Sequence, residues 1–144
     1  ISDTTEVDIF PLSDDVEEIV SITLRLAINN GFPTDGYAQV LFLDSNDVVI
    51  DSLFSDARQQ VLQTGELIGT TIDQTTGKVQ TITDITLDRA TLENLEAQGF
   101  RQMVSRGWVE TTNMGQTTVA IFQDYTMDLF LGMNVEAIVN LGDL

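Results

Sequence analysis

Residues 125–135 alternate with a period of two. Tyr125, Met127, Leu129, Leu131, Met133 and Val135 share one side, while Thr126, Asp128, Gly132 and Asn134 take the other with Phe130 among them. Successive side chains of a strand leave opposite faces, whereas a helix repeats its apolar positions every three or four residues. This run is therefore a strand. Residues 19–28 repeat the pattern: Val20, Ile22, Leu24, Leu26 and Ile28 oppose Ser21, Thr23, Arg25 and Ala27, with Ile19 as the exception. Two such runs, one near each end of the chain, predict a fold dominated by antiparallel sheet with one face buried.

The rest of the chain fits around them. Glu6-Val7-Asp8-Ile9-Phe10 alternates and stops at Pro11, as an edge strand does, because proline cannot donate to the ladder. Ser13-Asp14-Asp15-Val16-Glu17-Glu18 reads as an acidic turn. Asn29-Asn30-Gly31-Phe32-Pro33 reads as a corner between two sheets: Asn and Gly tolerate positive φ, and a residue before proline is driven extended. Residues 37–43 and 48–54 form a strand pair about the turn Ser45-Asn46-Asp47. Residues 57–69 favour a strand over a helical turn. Another strand runs from Val79 to Leu87. Asp88 caps a short helix over 89–98 and Gly99 stops it. Met103 to Val109 alternates, and Asn113-Met114-Gly115-Gln116 reads as a hairpin loop.

The expectation is an all-β, two-sheet immunoglobulin-like (Greek-key) β-sandwich of about seven to nine strands with one short helix near 89–98. Turn signals recur at sandwich spacing, with no internal repeat or linker, so residues 1–144 read as a single domain, a module of a larger protein. The chain starts at Ile1 with neither Met nor a signal pattern, which suits a mature or excised fragment.

Charge narrows the partners. There are 23 acids and 6 bases, a net charge of −17. Such a surface repels phosphate backbones and anionic lipid, so nucleic acid is not expected. Cations such as Ca²⁺ are compatible with it. No apolar run approaches the ~20 residues of a membrane-spanning helix. The chain has no histidine and no cysteine. That excludes Ser-His-Asp and Cys-His catalysis, disulfides, and His- or Cys-ligated metals. No glycine-rich phosphate loop is present, and Lys78, the only lysine, sits beside a turn glycine. No catalytic residue is assigned. An acid-catalysed glycan hydrolase would need two converging carboxylates across a cleft.

Two candidate sites remain. Asp44, Asn46, Asp47 and Asp51 cluster oxygen ligands on one hairpin, the only Ca²⁺ candidate, although Ca²⁺ takes six to eight oxygens and the EF-hand pattern is incomplete. Leu41, Leu43, Val49, Leu53 and Phe130 are apolar residues on nominally wet faces, and would form a partner-docking patch if exposed. Trp108, Tyr37 and Tyr125 could stack on a glycan, although strand aromatics usually pack.

Asn29-Asn30-Gly31-Phe32-Pro33, with Gln39-Val40-Leu41-Phe42-Leu43-Asp44 and Val49-Ile50-Asp51-Ser52-Leu53-Phe54, resembles secreted lipoprotein β-sandwich domains of Bacteroidetes-type cell envelopes. Gly77-Lys78-Val79 and Thr83-Asp84-Ile85-Thr86-Leu87-Asp88 fit the same likeness, which covers residues 18–135. More distantly the corner is similar to the immunoglobulin-like water-stress domain of late-embryogenesis-abundant proteins, with Asn30-Gly31 where that family has Asn-Pro. The resemblance implies an exported protein of the envelope, cell surface or extracellular space, and it brings no catalytic residues. The functional expectation is a non-catalytic interaction module that binds another protein, or another domain of the same protein. A calcium- or carbohydrate-binding adhesion module is the alternative.

Overall fold

A computed structural model describes residues 2–6 and 16–139. In chain order these form β1 (Ser2–Glu6), β2 (Val16–Asn30), β3 (Thr34–Asp44), β4 (Val49–Ser52), β5 (Gln59–Leu62), β6 (Leu67–Ile68), β7 (Thr71–Ile72), β8 (Val79–Asp88), α1 (Arg89–Ala97), β9 (Phe100–Thr111), a 3₁₀ turn (Thr112–Gly115) and β10 (Met127–Val139). Every pairing is antiparallel. One sheet runs β1-β9-β3-β4 with β5 also on β3, a second runs β10-β2-β8, and β6 pairs with β7. The all-β character agrees with the expectation. Ten strands appear among the described residues, above the expected range, and two of them hold only two residues each.

Residues 7–15, which include most of the expected first strand and its proline, lie outside the described residues, as do 140–144. The expected acidic turn is corrected at its end. Val16, Glu17 and Glu18 already belong to β2, whose backbone pairs Val16 with Val139 and Glu18 with Ile138. The break in alternation at Ile19 has a local cause. Ser21 faces Glu136 and Ile19 faces Ala137, so Val20 is an extra residue in a bulge.

The corner at residues 30–33 carries the chain from the three-stranded sheet into the five-stranded one. Asn30 has no exposed surface. Its Nδ2 donates to the carbonyls of Phe32 (3.1 Å), Thr34 (3.0 Å) and Gln63 (2.8 Å), and its Oδ1 accepts from the Phe32 amide at 2.9 Å. One side chain thus satisfies the backbone of a bend that no ladder can serve. Gly31 donates to the Thr126 carbonyl at 2.9 Å. A Cβ there would fall 2.7 Å from that oxygen and onto the Gln74 amide, so the position needs glycine. Gln74 bridges the same groups, donating to the Gly31 carbonyl at 2.9 Å and accepting from the Thr126 amide at 3.0 Å.

In the five-stranded sheet, β4 and β5 are two pieces of one course along β3. Between them the chain loops out, and the buried Gln39 replaces the missing ladder. Its Nε2 donates to the carbonyls of Phe54 (2.8 Å) and Asp56 (2.6 Å), and its Oε1 accepts from the amides of Phe54 (3.0 Å) and Val40 (2.9 Å). On the face that alternates with Gln39, Phe42 packs edge-to-face on Phe100 at 5.4 Å and against Leu95 of the helix. Val40, Ile50, Leu53 and Met103 surround them. The helix sits where expected. Asp88 accepts from the Thr91 amide at 2.8 Å, Leu92 and Leu95 are buried, and Gly99 ends the helix at φ 76°.

The expected hairpin at residues 113–116 is corrected. β9 pairs with β3 and β10 pairs with β2, so the two flanking strands lie in different sheets. The link passes through positive φ at Asn113, Met114 and Gly115, and Thr112 donates to the Pro33 carbonyl at 2.9 Å.

Candidate functional site

The alternating sequence of residues 127–135 forms the edge strand β10, and β2 is its only strand partner among the described residues. The register places Leu129 beside Ile28, Leu131 beside Leu26, Met133 beside Leu24 and Val135 beside Ile22. Beyond β2, β8 continues these rows with Thr81, Thr83, Ile85 and Leu87. Cross-strand neighbours share a face, so the rows make one apolar surface. Its cover is uneven. Ile28 and Thr83 are buried and their β2 and β8 neighbours half-buried, while Leu129 is 61% exposed, Leu131 71%, Met133 70% and Val135 44%.

The opposite face of β10 is also partly apolar. Phe130, 61% exposed, stands beside Ala27, with the exposed Ile82 one strand further. β10 therefore offers open apolar side chains on both faces and one backbone edge outside the ladder. Natural sheets usually blunt such an edge with charge or proline. Here the only charged side chains described on it are Asp128 and Glu136, and Lys78 neutralises the first at 3.2 Å while also donating to the Thr126 hydroxyl. Burying a Leu or Met side chain is worth about 1.5–3 kcal/mol, so a partner on this edge has a substantial driving force.

The expected docking residues do not form one patch. Leu43 is buried, Leu41 is half-buried, and Leu53 packs against the Phe42–Leu95–Phe100 core. Val49 and Phe130 are exposed but belong to different sheets. The residues that are open, Leu129, Leu131 and Met133, lie on the stripe that the alternation assigns to a buried face.

The acidic hairpin is a hydrogen-bonded turn. Asp44 Oδ1 accepts from the amides of Asn46 (2.8 Å) and Val48 (3.0 Å), and Asp47 takes φ 61°. Asp51 Oδ1 accepts from the next amide, Ser52, at 2.8 Å. Among the described residues no three acids converge as a metal site.

The aromatics separate as well. Tyr125 is buried between Phe32 and Phe122, with its hydroxyl accepting from the Ile72 amide at 2.8 Å. Trp108 pairs across the ladder with Tyr37, and the Arg58 guanidinium lies 4.5 Å above its ring. None of the three lines the open cleft of about 400 Å³ between β5 and β8, whose walls include Phe54, Gln59, Gln63, Thr81 and Asp84. The Thr81 hydroxyl there is buried without a hydrogen-bond partner among the described residues.

Three carboxyl groups are held below the ordinary Asp range. Amide donation from Thr75 and Thr76 lowers Asp73. The two-pronged hydrogen bond and ion pair with Arg25 (both contacts 2.7 Å) lower Asp84 and raise Arg25, and the Thr91 amide lowers Asp88. A depressed carboxyl stabilises the fold fully above its unfolded pKa, near 3.9, and loses that contribution as pH falls through the folded value. These groups should add no slope to stability between about pH 5 and 7 and a falling slope below about pH 4. Urea midpoints across that range test it. An Asp84→Asn variant with an unchanged acid slope would remove Asp84 from the account.

Comparison with known proteins returns no match, whether to a family model, to a curated protein or to a solved structure.

Proposed function

We propose that this chain is a non-catalytic interaction module that binds a protein surface along the edge strand β10. The carrying observation is the joint exposure of Leu129, Phe130, Leu131 and Met133 at 61–71% on a strand whose outer backbone edge meets no other strand among the described residues. A protein partner suits it better than nucleic acid, because the chain carries a net charge of −17. Among the described residues no helix is long and apolar enough to cross a membrane. The resemblance of the corner and hairpin to envelope sandwich domains supports an exported setting and an immunoglobulin-like, Greek-key arrangement of the two main sheets.

The test is a paired substitution, Leu131→Glu with Met133→Glu. The native chain should bind bis-ANS through the edge, and the double variant should lose most of that fluorescence. In dilute protein its melting temperature should hardly move, because the replaced side chains already face water. Absence of dye binding by the native chain, or collapse of the variant's fold, would sink the proposal.

A further inference from the structure

We infer that the partner of β10 is a second copy of this chain, paired antiparallel through β10 about a two-fold axis at Leu131. The inference rests on β10 being the docking edge and adds what occupies it.

The reasoning is one of register. A two-fold axis perpendicular to a sheet joins two identical edges into one continuous antiparallel sheet. Facing residues must lie on the same face, so the axis passes through a residue and not between two. Four centres keep the apolar run in contact with itself. Centring on Met133 sets Phe130 against Glu136 and Asp128 against Ile138, charged groups against apolar ones. Centring on Gly132 sets Asp128 against Glu136 of the copy, a like-charge pair that destabilises a ladder. Centring on Phe130 avoids that clash but pairs only residues 127–133.

Centring on Leu131 pairs residues 127–135 with no like-charge contact. Leu131 meets itself, Leu129 meets Met133, and Met127 meets Val135, all on the apolar face. On the other face Phe130 lies over Gly132, the arrangement in which an aromatic ring covers a strand glycine, and Asp128 meets Asn134. Opposite Glu136 and Ala137 it is β2 that bulges, at Val20, so β10 itself stays regular through the paired run. Lys78, by neutralising Asp128, removes the remaining charge cost at each end of the pairing.

The pairing also closes. A two-fold contact uses each β10 once, and on the far edge strand, β8, Asp88 discourages further addition, Asp84 being paired with Arg25. The opposing force is the charge of −17 on each copy, which salt screens.

The chain has no cysteine, so a single introduced one reports its own position. Leu131→Cys brings two sulfurs into the reach of a disulfide, since facing Cα atoms in a ladder lie about 4.5–5.5 Å apart. Leu129→Cys places them four residues apart along the strands, ~13 Å. Under mild oxidation Leu131→Cys should cross-link at least tenfold faster than Leu129→Cys, and a mixture of Leu129→Cys with Met133→Cys should cross-link as well. Sedimentation of the native chain should show a monomer–dimer equilibrium that shifts toward dimer as salt rises. A monomer at every concentration and salt, or equal cross-linking of Leu131→Cys and Leu129→Cys, overturns the second copy. If such a monomer still binds bis-ANS and Leu131→Glu with Met133→Glu abolishes it, the docking edge stands and its occupant is a different protein or domain. If dye binding also fails, both fall.

Discussion

Asn30→Ala is expected to lower the unfolding free energy by about 3–4 kcal/mol. Asn30 is wholly buried and serves the Phe32 amide and three carbonyls, those of Phe32, Thr34 and Gln63. Alanine leaves all four without that partner in a place water does not reach. Each abandoned buried group costs about 1–3 kcal/mol, and carbonyls, with two lone pairs, fall toward the low end. Asn30→Asp is the sharper control. It keeps the acceptor for the Phe32 amide but sets a carboxylate against three carbonyl oxygens, so at neutral pH it should be at least as damaging as alanine. Burial raises that carboxyl's pKa, so part of the loss should return as pH falls and the acid regains a proton to donate. Urea denaturation of both variants at pH 7 and near pH 5 measures this. A loss below about 1 kcal/mol for Asn30→Ala would mean that the bend is held by other groups.

The place of this corner was legible in the residues, because a residue before proline is driven extended. Its mechanism was not: neither Asn30 nor Gly31 takes positive φ, and they act through a buried side-chain amide and a close approach to the Thr126 carbonyl. The helix was legible because Asp88 and Gly99 act on their own neighbours. What local chemistry could not supply was the identity of the element across a face. Alternation along residues 125–135 says that Leu129, Leu131 and Met133 share a side, and it is silent on whether anything covers that side. Gln39 shows the converse. Its amide would suit a wet face, yet it is buried because a looped-out backbone needs that amide. The expected hairpin at residues 113–116 failed in a similar way. Its glycine and asparagine do turn the chain, but the partners of β9 and β10 are set by strands distant in sequence.

Leu95→Ala and Leu131→Ala separate core from edge by their effect on stability. Leu95 is 1% exposed and packs in one cluster with Phe42 and Phe100. Truncating it opens a cavity under the helix, and the helix's other buried anchor is Leu92 alone. The expected loss is about 3 kcal/mol, within the range for buried leucines. Leu131 is 71% exposed, so the same truncation in dilute protein removes few contacts and should cost under about 0.5 kcal/mol. Raising the protein concentration should then distinguish the two variants a second time. Native chain and Leu95→Ala should both gain stability with concentration, as self-association adds to the folded state, whereas Leu131→Ala should gain less because its self-facing leucine is gone. Denaturant titrations at two protein concentrations read all of this. Equal losses for the two variants in dilute protein would mean that Leu131 is buried in solution, and that β10 is an interior strand and no docking edge.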